Sequence, residues 1–417
     1  MAKKSLKQNL SEAKAAKKDE FYTQYIDIQK EVEAYLEYDA DTFRGKAVYC
    51  NCDDPFESNF FKYFAANFNK LGLRRLVTTS YDGSPIAGRG TLFEEYYAGN
   101  DKRKKPKAIA VVLDHVKDED GDGAADISDV ELFLKRNKAN RTALKGDDTY
   151  PGGDFRSNEC VALLKDSDIV VTNPPFSLFR KFVALLQSHD MKFLVIGNTN
   201  SITYRETFPL IKENKLWLGC TNFNVGMFFV VPDHWKKFHH IDTNTGKKIA
   251  RVASSCWFTN LEHGRRHQKL PLMTMDENLK FSKNFNDKAN YDRYDNYDAI
   301  EVPSYKDIPS DYDRMMGVPI TFLDKYNPDQ FEILGWTRGQ DEFDAYPIKR
   351  YENAKQIKPD GTESNGSKVN TGPNLLVNEK PSQTYYIADN VDGYLIQRYM
   401  RLIIRHRRPQ SDKRTKK

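Results

Sequence analysis

The chain predicts an α/β fold, a doubly wound and mostly parallel sheet, followed by an irregular α+β region. Three observations carry that prediction. Short runs rich in β-branched residues recur through the first half, each reading as a buried strand. Helical patterns separate those runs. After about residue 260 the texture changes to Asp- and Tyr-rich stretches (286–313) and a Gly/Ser/Pro/Asn loop (357–374).

Residues 1–20 read as a basic arm, residues 21–260 as the first domain, and residues 261–417 as a second region with a basic tail. FYTQYIDIQKEVEAYL (21–36) has apolar residues near helical spacing at Ile26, Val32, Tyr35 and Leu36. KAVYCNC (46–52) is a strand. NFFKYFAANFNKLG (59–72) is a helix with a glycine cap. LRRLVTTSY (73–81) and KAIAVVLDHV (107–116) are strands, and ISDVELFLKRN (127–137) is a helix. SDIVVTN (167–173), SLFRKFVALLQSH (177–189) and MKFLVIGNTN (191–200) read as strand, helix and strand. RETFPLIKEN (205–214) is a short helix. KLWLGC (215–220) and VGMFFVVP (225–232) are expected to close as a hairpin. Short strands are expected in 316–340.

Bulk properties narrow the classes. Hydrophobic residues make up 39% and charged residues 29% of 417, which supports a packed core under a solvated surface. No run reaches the ~18 apolar residues of a membrane span. MAKKSLKQNLSEAKAAKKDE lacks an apolar secretory core, so a cytoplasmic protein with no membrane partner is expected. Five scattered cysteines are expected to be reduced, with no metal site. His263 and His267 flank Arg265 and Arg266 and read as basic surface. DEDGDGAADISD (118–129) matches a calcium loop only in part and reads as a solvated acidic turn.

The net charge is +5, unevenly spread. Residues 397–417 carry nine Lys/Arg against one Asp, and the first eighteen residues carry six Lys. Clustered cations suit a polyanionic partner.

The chemistry converges on SDIVVTNPPFSLF (167–179). In an open α/β sheet, ligands bind outside the carboxyl ends of the strands. The strand delivers Asn173 to that edge, and Pro174 and Pro175 stiffen the turn. Pro174 pushes Asn173 out of the helical region. The Asn173 side-chain oxygen and the Pro174 carbonyl are two acceptors, and Phe176 is a flat apolar wall. A planar exocyclic amine suits that corner. Gripping both of its hydrogens favours a tetrahedral nitrogen whose lone pair is free to attack.

NPPF resembles the signature of amino-group DNA methyltransferases that use S-adenosylmethionine. DEFYTQ (19–24) resembles the element preceding the fold in the subgroup with a C-terminal target-recognition region. With VYCNCDDPFESNFFKYF (48–64), GGDFRSNECVALL (152–164) and DIVVTNPPFSLFRKFV (168–183), the chain is similar to the EcoRI-type adenine-specific methylases. The resemblance implies a Rossmann-like class I methyltransferase sheet and a C-terminal α+β target-recognition region. It implies methyl transfer to N6 of a flipped-out adenine in double-stranded DNA. It also implies either a restriction-modification setting, with a cognate endonuclease as partner, or a solitary host- or phage-borne modifier. Asn173, Pro174, Pro175 and Phe176 are the catalytic residues it points to. Phe21, Tyr22, Thr23, Asp53, Asp54, Ser58 and Asn59 are expected at the methionine end of the cofactor. The loop CDDPFESNF has none of the usual glycines. Asp82 is expected at the ribose, Asp154 at the adenine amine, and Phe155 packed on that ring. Arg265, Arg266, Arg338, Arg398, Arg401, Arg405, Arg407 and Arg408 are the expected phosphate contacts. Two other readings stay open: methylation of another amine (cytosine N4, an RNA base or a protein glutamine), and a non-catalytic DNA-binding protein on the same fold.

Overall fold

The computed structural model describes residues 22–53, 58–81, 108–119, 121, 127–136, 141–231, 235–243, 245–286, 288–339 and 341–408. The basic arm, Phe21, Asp54, Asp82, half of the acidic loop and the last nine residues lie outside the described residues. The chain divides into two compact units, Met1–Ile211 with Lys215–Gly264, and Lys212–Asn214 with Arg265–Lys417.

In the first unit, β1 (Tyr22–Thr23) leads into α1 (Tyr25–Tyr38). Ile28, Val32 and Tyr35 recur at helical spacing and are buried, so they form the inner stripe of α1. An eight-stranded mixed sheet follows. In sequence it comprises β2 (Ala47–Cys50), β3 (Arg75–Thr79), β4 (Ile109–Leu113), β5 (Arg141–Ala143), β6 (Ile169–Thr172), β7 (Lys192–Asn198), β8 (Trp217–Leu218) and β12 (Ser255–Thr259). Its order is β5-β4-β3-β2-β6-β7-β12-β8. The central four strands are parallel. β4, β5 and β12 are antiparallel to their neighbours. β2 and β6 are buried at every position, as strands covered on both faces are. The covering helices include α2 (Asn59–Ala66), α3 (Ile127–Arg136), α4 (Asn158–Lys165) and α5 (Phe179–Ser188). Ser58 caps α2, and Ser157 caps α4.

A second sheet in this unit, ordered β1-β9-β11-β10, contains β9 (Met227–Val231), β10 (His240–Ile241) and β11 (Lys248–Val252). The expected hairpin of 215–220 with 225–232 therefore does not form. β8 joins β12, whereas β9 joins β1 and β11. Burial separates them: both residues of β8 are covered, while β9 alternates buried and half-buried. The strand at 107–116 does form, but antiparallel to β3. An apolar run specifies burial, not direction. His263, expected at the surface, is buried between the Tyr35 ring at 5.3 Å and the Leu218 carbonyl at 3.0 Å.

The second unit contains two sheets. One is ordered β13-β14-β21-β15, with β13 (Ile300–Glu301), β14 (Met316–Val318), β15 (Phe331–Trp336) and β21 (Leu402–His406). The other comprises β16 (Lys355–Ile357), β17 (Glu363–Asn365), β18 (Asn374–Val377), β19 (Tyr385–Ile387) and β20 (Tyr394–Gln397), in the order β17-β16-β19-β20-β18. The expected loop 357–374 contains β17 (Glu363–Asn365), hydrogen-bonded to β16 (Lys355–Ile357). Much of the basic C-terminal segment is also core: Leu402, Ile403 and Ile404 are buried between β14 and β15. A cavity of about 290 Å³ in this unit is lined in part by Tyr297, Leu334, Tyr346 and Ile403. Among the described residues, no helix is long and apolar enough to cross a membrane.

Candidate active site

The chain passes from β2 to β3 on one side and from β6 to β7 on the other. The carboxyl ends of β2 and β6 therefore flank the point where the winding reverses, which is where open α/β sheets hold ligands. Asn51, Cys52 and Asp53 follow β2, and Asn173 to Phe176 follow β6.

A buried knot joins those two ends. Thr172 Oγ1 lies 2.6 Å from Asp53 Oδ2 and also contacts the Asn51 carbonyl. Ser58 donates to Asp53 Oδ1 at 2.7 Å. Thr78, on β3, donates to the Asp53 carbonyl at 2.5 Å. One residue thus ties together β2, β3, β6 and the start of α2. Asp53 and Ser58, expected at the cofactor, are turned inward, with both Asp53 oxygens engaged. The donors that reach those oxygens from Ser58 and Thr172 are hydroxyls.

The glycine-free loop has its own solution to a tight turn. β2 ends at Cys50, and Cys52 takes a left-handed φ of 67°. The strand expected over 46–52 thus stops before Cys52. A left-handed L-residue costs about 1–2 kcal/mol, and such strain gathers at functional loops. Sequence reasoning also missed Asn51. It is fully buried, and its Nδ2 has no acceptor among the described residues. An unmet buried donor costs about 1–3 kcal/mol.

Asn173 is half-buried, and Pro174 is buried. Leu178 N–H donates to the Pro175 carbonyl at 2.9 Å, which closes the turn. The half-buried Phe176 ring stands edge-on to Phe229, 6.4 Å away. Phe229 on β9 pairs with Thr23 of β1. Asn59 Nδ2 donates to the Thr23 carbonyl at 2.7 Å. Tyr22, Thr23, Asn59 and Phe176 are thus drawn together through β9, though they are far apart in the chain.

The GGDF turn lies against the end of β3. Gly153 has a φ of 76°, and a Cβ there would stand 1.8 Å from the Ser80 carbonyl. Asp154 follows, buried, and its carboxylate accepts from Arg156 Nε at 2.8 Å and Nη2 at 2.6 Å. Each carboxylate oxygen has two lone pairs, so acceptor capacity remains. Phe155 differs from expectation: it is 2% exposed and packed edge-on to Phe182, 5.0 Å away. It is a core ring with no open face.

Glu31, on α1, is fully buried and accepts from Cys220 N–H, Thr221 N–H and Thr221 Oγ1. Burial outweighs those bonds and pushes its carboxyl up to about 7.

The expected phosphate contacts are mostly committed elsewhere. Arg338 forms ion pairs with Asp341 and Asp344, and Arg401 with Glu301. Arg265 pairs with Asp324, and Arg405 with Glu332. Arg266 is buried. Arg398 is half-buried. Arg407 donates to the Pro328 carbonyl, and Arg408 is exposed. Among the described residues, no cluster of His, Cys, Asp and Glu has the make-up of a metal site.

The family model described as adenine-specific methyltransferase EcoRI matches residues 9–407. Type II methyltransferase M.EcoRI of Escherichia coli is 45% identical over 353 residues, covering 82% of this chain and 94% of that protein. Type II methyltransferase M.MgeORF184P of Mycoplasma genitalium is 36% identical, covering 78% and 85%. Type II methyltransferase M.MpnI of Mycoplasma pneumoniae is 35% identical, covering 77% and 83%. No solved structure matches. A family match across nearly the whole chain, on a mixed α/β sheet with Asn-Pro-Pro-Phe at its switch point, makes this chain a member of the EcoRI family of adenine-specific methyltransferases.

Proposed function

We propose that the chain transfers a methyl group from S-adenosylmethionine to N6 of an adenine flipped out of double-stranded DNA. The observation that carries this reading is the juxtaposition of Asn173–Phe176 with the Asn51–Asp53 loop across the β2/β6 switch point. A base inside the duplex cannot enter such a corner, so the target must be extruded.

Asn173 Oδ1 and the Pro174 carbonyl accept the two amine hydrogens, and Phe176 stacks on the purine. Gripping both hydrogens favours the nitrogen geometry of the transition state over that of the free base. The cofactor supplies an electrophilic methyl on a sulfonium. Asp154 accepts the amine of the cofactor's own adenine, and Asn51 Nδ2 supplies a donor. The negative charge of Asp53 favours a cationic group beside the loop. Thr23 and Asn59 hold the FYT element against α2. Rossmann-like winding of the central strands, DNA target recognition by the second unit, and a cognate restriction endonuclease complete the reading.

Incubating duplex DNA with the protein and labelled S-adenosylmethionine, then separating nucleosides by mass spectrometry, tests it. Labelled N6-methyladenine is the expected product. Labelled N4-methylcytosine, or no labelled nucleoside, would overturn it.

A further inference from the structure

We infer that the β10–β11 hairpin is a contact surface for the phosphate backbone of the DNA substrate. Residues 236–251, KKFHHIDTNTGKKIAR, carry five Lys/Arg and one acid, Asp242. β10 is the free edge of its sheet, and β11 pairs with β9 in the register Arg251↔Phe228. Met227, Phe229, Val231, Ala250 and Val252 fill the core behind that sheet. On the opposite face the Phe228 ring meets His239 at 5.2 Å and His240 at 6.4 Å, and both histidines are exposed. Phe238 and Ile241 are also exposed.

The state of the cations decides between a solvated face and a binding face. Arg338, Arg401, Arg265 and Arg405 are neutralised by carboxylates. Lys236, Lys237 and Arg251 have no carboxylate partner among the described residues, although Arg251 donates to the Val225 carbonyl. Unneutralised cations next to accessible rings and apolar side chains suit a sugar–phosphate strand. The cations release its counterions, and the rings cover its sugars. An edge strand that exposes Phe238 and Ile241 is otherwise open to unwanted pairing.

β10 lies two strand spacings, about 10 Å, from β9. Phe229, which backs Phe176, lies on the core face of β9, whereas Phe228 and Arg251 lie on the opposite, exposed face. The inference rests on DNA being the substrate.

The test is a triple variant, Lys236→Gln/Lys237→Gln/Arg251→Gln, titrated with duplex DNA from about 50 to 200 mM salt. Affinity is expected to fall about tenfold or more, equally on cognate and unrelated duplexes. The slope of log K against log salt should flatten by about two to three units, near 0.9 per lost contact. Cofactor binding, followed by calorimetry, should stay unchanged, which controls for folding. Lys236→Arg/Lys237→Arg should keep the wild-type slope. An unchanged slope in the triple variant, with wild type still methylating adenine, would overturn the hairpin assignment alone. A wild-type protein that methylates no DNA would overturn the functional reading and this inference together.

Discussion

Thr172 Oγ1 and Asp53 Oδ2 stand 2.6 Å apart, one at the end of β6 and the other in the loop after β2. Their separation of 119 residues closes across the switch point. The bond fixes the Asn-Pro-Pro-Phe turn against the loop after β2, because Asn173 is the next residue after Thr172. Thr172→Val removes the hydroxyl and leaves a buried carboxylate oxygen short of a donor, at a cost of about 1–3 kcal/mol. Methyl-transfer rate is expected to fall more than cofactor affinity, and Thr172→Ser should restore it. Single-turnover kinetics beside urea unfolding measure both. Equal activity of the Val and Ser variants would show that the bond does not position Asn173.

The left-handed turn at Cys52 separates glycine from branched residues. Cys52→Gly should change stability by no more than about 1 kcal/mol and leave activity intact. Cys52→Val should cost about 1–2 kcal/mol, since a β-branched residue resists positive φ. Denaturant midpoints settle the order. A Val variant as stable as wild type would contradict the strained turn.

How much of this was legible beforehand varies by residue. The position of Asn173, Pro174 and Phe176 at the end of a buried strand was readable from the apolar run that precedes them. The knot around Asp53 was not, because Ser58, Thr78 and Thr172 come from three separate elements that only the sheet order joins. Asp53 was noticed for its charge, but nothing local says that its oxygens turn inward. The ion pairs of the arginines were hidden for a related reason. Arg338 and Arg401 look like surface cations in sequence, and their partners Asp344 and Glu301 are visible only in three dimensions. Strand direction at β4 and the partners of β8 and β9 were likewise beyond local pattern.

Arg338 is a structural residue in this account. Arg338→Ala leaves the buried Asp344 without its cation, and the loss of one partner of a buried pair costs about 3–5 kcal/mol. The salt slope of DNA binding should stay as in wild type wherever the variant remains folded. A stable Arg338→Ala protein with a flattened slope would return Arg338 to the DNA surface.

Glu31 sets a pH dependence. Its folded value of about 7 lies above the ordinary 4.5, so the folded chain keeps a proton that the unfolded chain releases. The native state binds more protons between those values, and stability therefore falls as pH rises from about 4.5 to 7 and levels off above. The drop attributable to Glu31 is about 3 kcal/mol. Unfolding free energies of wild type and Glu31→Gln across that range isolate it, with the variant expected to show a shallower decline. Parallel curves for the two proteins would remove Glu31 as the cause.

The GGDF turn holds Asp154 by close contact. Gly153→Ala drives a Cβ into the Ser80 carbonyl at a positive φ. It should weaken S-adenosylmethionine binding at least about tenfold, a loss of about 1.4 kcal/mol. Calorimetric titration reads this directly, and wild-type affinity in the variant would detach the turn from the cofactor.

The most direct test of the whole account is single-turnover methyl transfer by Asn173→Ala, with cofactor affinity measured on the same preparation. The account predicts that labelled N6-methyladenine disappears while S-adenosylmethionine still binds within about threefold of wild type. Adenine methylation at the wild-type rate in that variant would contradict it.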